Sequence, residues 1–279
     1  MKSNIKGKTA LVTGASSGIG FETAILLKQL GMNVYGAARR LERMADLEKQ
    51  GIYILPLDLT DRDSIKNCVD TILSREGSID VLINNAGYGS YGAIENVPTE
   101  EAKRQFDVNV FGLAELSKMV IPSMRKNHFG KIVNISSMAG RFTAPFGGWY
   151  HATKYAVEAL SDAMRLEVKP FGVDVILIEP GMIQTDWGFI ATDNLRKQSE
   201  NTEYKDNAIN AATYLEKHYK SGKMTPPLKI AEVIVKAVLA KHPKQRYAKG
   251  YMAKPYILIK KVLPDPLMDL AMRTVLKIK

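Results

Sequence analysis

Tyr150 and Lys154 stand four positions apart in a stretch of helical periodicity, so their side chains share one helix face and can approach each other. A phenol ordinarily ionises near pH 10, too high for a base at neutrality, and a neighbouring ammonium stabilises the phenolate and lowers that value. The pair could then pass a proton to or from a substrate oxygen. An isolated Tyr-x-x-x-Lys is usually no more than a helix-surface pair, so the reading depends on what surrounds it.

A second group of residues could hold a dinucleotide. Gly14-Ala15-Ser16-Ser17-Gly18-Ile19-Gly20 follows an apolar run of strand length and opens a helical one. Glycine lets the backbone turn tightly and approach a pyrophosphate, while the helix N-terminus offers unpaired N–H groups and a positive dipole end. The spacing, three residues and then one between glycines, departs from GxGxxG. Arg39 and Arg40 follow the next strand-like run, Val34-Tyr35-Gly36-Ala37-Ala38, where a dinucleotide enzyme reads the adenosine ribose. An NAD enzyme wants a carboxylate there, whereas a guanidinium suits the 2′-phosphate of NADP(H). As mere solvation of a helix start, cations would be badly placed beside the positive end of its dipole.

These residues need a scaffold that brings them together. Strand-length apolar runs alternate with longer helical ones: Thr9 to Thr13, Ile19 to Leu30, Asn33 to Ala37, Leu41 to Gln50, Ile52 to Leu57, Asp61 to Arg75 and Val81 to Asn84. Phe106 to Lys126, Lys131 to Ile135, Tyr150 to Lys169 and Val173 to Ile178 continue the series. Such alternation implies βαβ units and a parallel sheet, and strands as apolar as Val173-Asp174-Val175-Ile176-Leu177-Ile178 imply helices on both faces. The expected fold is α/β, a Rossmann-type doubly wound parallel sheet with a C-terminal helical cap, binding ligands at the carboxyl ends of its strands. One domain is expected over residues 1–279, with 186–227 as a polar, helix-rich insertion capping the substrate and 251–279 as a basic, apolar tail. A helix is expected from Ile230 to Lys241.

Six short signatures occur in a telling order. They are Thr13-Gly14-x-x-x-Gly18-x-Gly20, Asn84-Asn85-Ala86-Gly87, Val108-Asn109-Val110, Ser136-Ser137, Tyr150-His151-Ala152-Thr153-Lys154 and Pro180-Gly181-Met182-Ile183-Gln184-Thr185. Together, from about Gly7 to Thr185, they resemble the short-chain dehydrogenase/reductase family. Lys244-Gln245-Arg246-Tyr247 and the stretch from Lys254 to Met268 look like its hydroxysteroid and retinol dehydrogenase subgroup. The resemblance implies an NADP(H)-dependent oxidoreductase that interconverts an alcohol and a carbonyl, Tyr150 acting as general acid in reduction and general base in oxidation. It gives Lys154 the further task of hydrogen-bonding the nicotinamide ribose.

By the same resemblance Ser137, thirteen positions before Tyr150, holds the substrate oxygen as charge develops. Ser136 is its rival, but neighbours along a strand point to opposite faces. Asn109 is expected to hold a water in a proton relay to Lys154. The coenzyme is expected to meet Gly14, Ser16, Ser17, Gly18, Ile19, Gly20, Arg39, Arg40, Asp58, Leu59, Asn85, Ala86, Gly87, Tyr150, Lys154, Pro180, Gly181, Ile183 and Thr185. Among these, Asp58 and Leu59 fall to the adenine and Asn85 to the adenosine side. Ser17 stands where some NADP-preferring relatives carry a second basic residue, which weakens the phosphate clamp without removing it. Family members commonly pair through the helices that correspond to Phe106–Lys126 and Tyr150–Lys169, which implies a homodimer or homotetramer.

Composition narrows the remaining classes. Hydrophobic residues make up 46% and charged residues 24%, as in ordinary globular enzymes. The net charge of +10 could attract anionic ligands, membranes or nucleic acid, but the lysines are scattered and no nucleic-acid signature accompanies them. A lone cysteine, Cys68, excludes an intrachain disulfide, and the triplet Asn134-Ile135-Ser136 lies in an apolar run unsuited to glycosylation. Met1 to Lys8 is polar and basic, Thr9 to Thr13 is too short for a signal sequence, and no apolar run could span a membrane, so the expected location is cytoplasmic. His128, His151, His218 and His242 are dispersed without metal-ligand spacing, and no metal is expected.

Phe142, Phe146, Trp149, Trp187, Phe189 and Ile190 are expected around an apolar small-molecule substrate, a steroid, bile-acid, retinoid or lipid-derived or xenobiotic carbonyl or alcohol. Two other readings compete: a nucleotide-binding regulator or scaffold that turns nothing over, and a membrane-surface reductase. The second draws on the basic, apolar Lys254-Pro255-Tyr256-Ile257-Leu258-Ile259-Lys260-Lys261-Val262-Leu263. The same pattern would serve as a lid or an oligomer contact.

Overall fold

Seven strands, all parallel, make the sheet of the computed structural model, which describes residues 3–278. They are β1 Thr9–Thr13, β2 Asn33–Ala38, β3 Tyr53–Pro56, β4 Val81–Asn84, β5 Gly130–Ile135, β6 Val173–Pro180 and β7 Arg246–Lys249, in the order β3-β2-β1-β4-β5-β6-β7. Lys279, the end of the expected tail, and Met1 and Lys2 of the polar, basic stretch before β1 lie outside the described residues. β1 pairs with β2 on one side (Thr9 opposite Asn33) and with β4 on the other (Ala10 opposite Val81), so the chain reverses its winding beside β1. A crevice at the carboxyl ends of β1 and β4 follows from that reversal.

Eleven α-helices occur among the described residues: α1 Gly18–Gln29, α2 Ala45–Glu48, α3 Arg62–Glu76, α4 Thr99–Phe106, α5 Leu113–Lys126, α6 Gly148–Val168, α7 Trp187–Ser199, α8 Lys205–Tyr219, α9 Pro227–Leu239, α10 Ala253–Val262 and α11 Asp265–Leu276. Side chains alternate across each strand, so the sheet has two apolar faces. Val12, Val34, Ile83 and Ile178 face one way and meet Leu27 of α1 and Ile234 of α9. Leu11, Leu82, Ile132 and Val175 face the other and meet Ile72 of α3 and Val120 of α5. The doubly wound α/β sheet is therefore observed, with both faces covered as the apolar strands require.

Several boundaries differ from those expected. The helix expected over Leu41 to Gln50 is a 3₁₀ turn, Leu41–Met44, followed by the four residues of α2. The helix expected from Phe106 begins at Thr99, since Ala102 and Gln105 are buried although the sequence there is polar. Between α4 and α5 the chain makes a π-helical turn, Asp107–Gly112. The helix expected over Ile230 to Lys241 is α9, ending at Leu239. β7 had no strand signature, and the basic, apolar stretch after it forms α10 and α11. α7 and α8 pack on each other through Leu195, Ala208, Ala211 and Ala212. Among the described residues no helix is long and apolar enough to cross a membrane.

Candidate active site

The glycine-rich turn closes the carboxyl end of β1. Gly14 (φ +65°) and Gly18 (φ +57°) adopt left-handed backbone, which an L side chain rarely does. Gly20 has a different duty: a Cβ there would sit 2.5 Å from the Gly14 carbonyl oxygen, so Gly20 lets α1 pack beneath the turn and does not line the cleft. Ser17 precedes α1 with no side-chain cap, which leaves the N–H groups of the first turn for a ligand. Asn85 stitches the turn to β4, its carboxamide donating to the Thr13 and Gly14 carbonyl oxygens at 3.0 and 3.3 Å. Thr13 Oγ1 accepts from the Asn85 and Ala86 N–H groups, both at 3.0 Å.

A cleft of about 850 Å³ runs from this turn across the strand ends. Ser16, Ser17, Gly18, Ile19, Arg39, Arg40, Asp58 and Leu59 line one end, and Asn85, Ala86, Gly87, Pro180, Gly181, Ile183 and Thr185 line its middle. Arg43, which the sequence reading missed, joins Arg39 and Arg40 there although the i, i+4 spacing from Arg39 could have disclosed it. Glu22 reaches the same end. Among the described residues none of the three arginines forms an ion pair. Burial pushes the Asp58 carboxyl up, but hydrogen bonds from the Thr60 N–H and hydroxyl and the charges of Arg39 and Arg104 outweigh it and hold the group below the usual carboxylate range. Tight turn, open helix N-terminus and guanidinium groups held in no direct ion pair among the described residues fit a dinucleotide with an additional phosphate.

Tyr150, Lys154 and Ser137 gather at the far side of that middle section. Ser136 and Ser137 lie beyond the end of β5, so the strand alternation expected to separate them does not apply. Instead Ser137 caps a short 3₁₀ turn, its hydroxyl accepting from the Ala139 N–H at 3.1 Å, while the Ser136 hydroxyl is buried with no partner. Ser137 also stands beside the Tyr150 phenol and favours its ionised form. The Tyr150 ring forms a three-ring cluster with Trp187 (centroids 5.1 Å) and Tyr91 (6.0 Å), which also touch each other at 5.8 Å. Gly89 permits this approach, because a Cβ there would lie 2.6 Å from the Trp187 ring and 3.1 Å from the Tyr150 ring.

Electrostatics at this pair reverse one expectation. Burial pushes the Tyr150 phenol up to about 12, opposed only by the Ser137 side chain beside it. Lys154 does not lower it: the ammonium lies 5.7 Å from the ring centroid, donates to the Ile135 carbonyl oxygen at 2.9 Å, and is itself brought down to about 8 by burial, against the charge of Glu158. Desolvation penalises the charged form of both groups and outweighs their mutual stabilisation.

Asn109 lies beside this pair without lining the cleft. Its carboxamide accepts from the Tyr88 N–H at 3.0 Å and donates to the Tyr88 carbonyl oxygen at 2.8 Å and to Thr153 Oγ1 at 3.1 Å. The π-helical turn around it departs from the regular helical ladder, a feature common at functional sites. His151 donates from Nδ1 to the Ala139 and Phe142 carbonyl oxygens at 2.9 and 2.7 Å, and burial lowers its pKa, so it is a neutral wall of the cleft.

Of the six apolar residues expected around a substrate, Phe142, Trp187 and Ile190 line the cleft. Trp149 packs edge-on against Phe106, Phe146 against Tyr204, and Phe189 against Tyr219, so these three support the walls or the surface. Further apolar lining comes from Tyr91, Met138, Tyr214, Tyr219 and Met272, which the sequence did not single out, and from Tyr256 of the stretch for which a lid was one reading. They arrive from separate segments, and only the packing of α8, α10 and α11 over the strand ends assembles them. Among the described residues no cluster of His, Cys, Asp or Glu could hold a metal.

Comparison with known proteins agrees with this architecture. Residues 8–194 match the family described as short chain dehydrogenase. The chain is 38% identical over 265 residues to 3-ketodihydrosphingosine reductase of Bacteroides thetaiotaomicron, covering 94% of this chain and 96% of that protein. It is 33% identical over 270 residues to the NADPH-dependent 3-dehydrocapnine reductase of Ornithobacterium rhinotracheale, covering 93% and 94% respectively. Its fold superposes on a short-chain dehydrogenase from Streptomyces avermitilis with a TM-score of 0.80 at 30% identity, covering 97% of this chain and 95% of that one. The glycine turn, the seven-stranded sheet and these relatives lead to one identity: the chain belongs to the short-chain dehydrogenase family and is an oxidoreductase.

Proposed function

We propose that this oxidoreductase reduces the carbonyl group of an apolar ketone or aldehyde with NADPH, using Ser137, Tyr150 and Lys154. The observation that carries the reading is that Ser137, Tyr150 and Lys154 line one cleft together with the nucleotide turn and the apolar end. The nicotinamide ring, when bound, supplies the hydride. Ser137 and Tyr150 offer two O–H donors to the substrate oxygen, which stabilises charge as it develops there. With its pKa near 12 Tyr150 keeps its proton at neutral pH and is ready to donate it, since an alkoxide is a much stronger base than a phenolate. Lys154, charged below about pH 8, would donate a hydrogen bond to the nicotinamide ribose of a bound coenzyme.

Asn109, its carboxamide committed to Tyr88 and Thr153, would serve by holding a water in a proton relay to Lys154. Arg39, Arg40 and Arg43 favour NADP(H) over NAD(H) through the extra phosphate. The two reductases named above, one of a 3-keto and one of a 3-dehydro compound, support the reductive direction. Steroid, bile-acid, retinoid and lipid-derived carbonyls all satisfy an apolar end lined by methionines and tyrosines, because thioether side chains adapt to irregular shapes.

The test is consumption of NADPH with a panel of apolar ketones and aldehydes. At least one is expected to give saturable turnover that is slower with NADH. NADPH binding without turnover of any member would favour the regulator or scaffold reading.

A further inference from the structure

α10 and α11 form a helical pair with two unlike faces. Inward, Tyr256, Ile257, Met268 and Met272 pack into one cluster with Phe142 and Leu215, and Tyr256 and Met272 also line the cleft. Outward, Leu258 (62% exposed), Val262 (71%), Leu267 (52%) and Leu270 (62%) stand in solvent. Lys254, Leu258, Lys261 and Val262 follow helical spacing along one side of α10, so the apolar and basic residues occupy the same outer face.

From this arrangement we propose that the α10–α11 face is a docking surface for an anionic lipid bilayer. Apolar side chains and lysines interleaved on the outside of a short amphipathic helix suit the boundary between acyl chains and headgroups. Lys254, Lys261, Arg273 and Lys277 have no ion pair among the described residues, whereas Lys260 is held by Asp265. At the start of α10, Lys249 and Lys254 flank a depression of about 490 Å³ with Met224, Pro226 and Pro255 among its other walls, a shape and charge that suit a phosphate headgroup, while Lys229 at its rim is paired with Glu232. Charge argues against a second copy of the chain as occupant, because a two-fold contact through this face would bring the same cations together and the whole chain carries +10. The docking surface stands without any assumption about the substrate. It has a consequence for one, since the helices that would touch the bilayer are also walls of the cleft.

The test is flotation of the full chain with vesicles of phosphatidylglycerol, with phosphatidylcholine vesicles as the neutral comparison. The wild type is expected to float with the anionic vesicles, at least tenfold more tightly than with neutral ones, and to be released by salt. Leu258→Glu, Val262→Glu and Leu270→Glu together are expected to cost at least tenfold in binding while leaving turnover of a small water-soluble carbonyl unchanged, because these side chains point away from the cleft. Lys254→Glu with Lys261→Glu, which leaves the apolar residues intact, is expected to cost roughly thirtyfold on anionic vesicles and little on neutral ones, and decides the matter if the first variant folds poorly. The proposal is overturned if the wild type binds neither vesicle. It is also overturned if both variants float as well as the wild type, or if the triple variant's effect is to dissociate an oligomer that does not bind lipid.

Discussion

The ammonium of Lys154 stands 5.7 Å from the centroid of the Tyr150 ring and gives its hydrogen bond to the Ile135 carbonyl oxygen. Both side chains are buried on the same turn-to-turn face of α6, and burial moves them in opposite directions, the phenol up to about 12 and the ammonium down to about 8. Each therefore carries its proton at neutral pH. That is the state from which a carbonyl can be protonated, and a base for alcohol oxidation would require the phenol to be brought down first.

Lys154 sets an alkaline limit on coenzyme binding. Its free-state value lies near 8, so above that pH a neutral amine would greet an anionic ligand, and NADPH affinity should fall as pH rises through about 8. Loss of one charge-assisted contact corresponds to roughly tenfold or more. Fluorescence titration of NADPH between about pH 7 and 10 measures this; Lys154→Met should bind weakly at every pH and show no such inflection. An unchanged inflection in that variant would remove Lys154 from the cause.

Coenzyme choice should turn on the arginines after β2. A charge-assisted hydrogen bond contributes about 1.5–3 kcal/mol, so the wild type is expected to prefer NADPH by roughly tenfold to a hundredfold. Ala38→Asp with Arg39→Ser supplies a ribose acceptor and repels the phosphate, and should invert the order in kcat/KM. Arg39→Ser alone should weaken NADPH without helping NADH, and Arg40 and Arg43 should soften that loss. Equal use of NADH and NADPH by the wild type would return these arginines to ordinary surface charge.

Arg246 of β7 binds α6 into the sheet. It donates to Glu158 Oε2 at 2.9 Å and to Asp162 Oδ2 at 2.5 Å, and stands 3.5 Å from Glu179 Oε1, whose other cation is Arg141 at 3.1 Å. Arg246→Met leaves two buried carboxylates with Arg141 alone, at a cost of about 2–3 kcal/mol because the arginine is only partly shielded from water. Burial and the charge of Glu158 already raise the Glu179 pKa above its ordinary value, and losing Arg246 raises it further. A carboxyl raised in the folded state binds its proton more tightly than the unfolded chain does, so folding gains as pH falls through that raised value. The deficit of the variant, measured by urea unfolding, should be smaller at pH 5 than at pH 7; a deficit that grows on acidification would show that the carboxylates are stabilised by other means.

The outer faces of α5, α6 and the π-helical turn should meet a second copy. Phe111 (62% exposed) and Leu166 (66%) are large apolar side chains left open to solvent on these elements. Light scattering is expected to give a dimer or tetramer, and Phe111→Glu with Leu166→Glu a smaller species. A wild type that is monomeric at assay concentration would contradict this.

Much of the sheet was legible because β1, β2, β4, β5 and β6 are apolar on both faces, a pattern that few other folds need. β7 was not, since Arg-Tyr-Ala-Lys at Arg246–Lys249 reads as surface, and its leading residue becomes satisfactory only through Glu158, Asp162 and Glu179 on other elements. Leu41 to Gln50 has helical spacing but Gly51 (φ +74°) ends it early and its first turn tightens to 3₁₀. Within the cleft, sequence order alone suggested Ser137, Tyr150 and Lys154, whereas Tyr91, Tyr219 and Met272 come together only by tertiary packing. The direction of the Tyr150 shift was misread for a related reason. Spacing discloses a neighbouring cation but not how much water both groups lose.

The most direct measurement compares wild type with Tyr150→Phe in a single turnover of bound NADPH against an apolar carbonyl taken from the panel, with NADPH affinity titrated in parallel. The ring and its packing against Trp187 and Tyr91 survive the change and only the proton donor is lost. The hydride-transfer rate is expected to fall by roughly 10²–10⁴-fold while NADPH affinity stays within about threefold of the wild type. A variant that transfers hydride at close to the wild-type rate would contradict the assignment of Tyr150 as the acid.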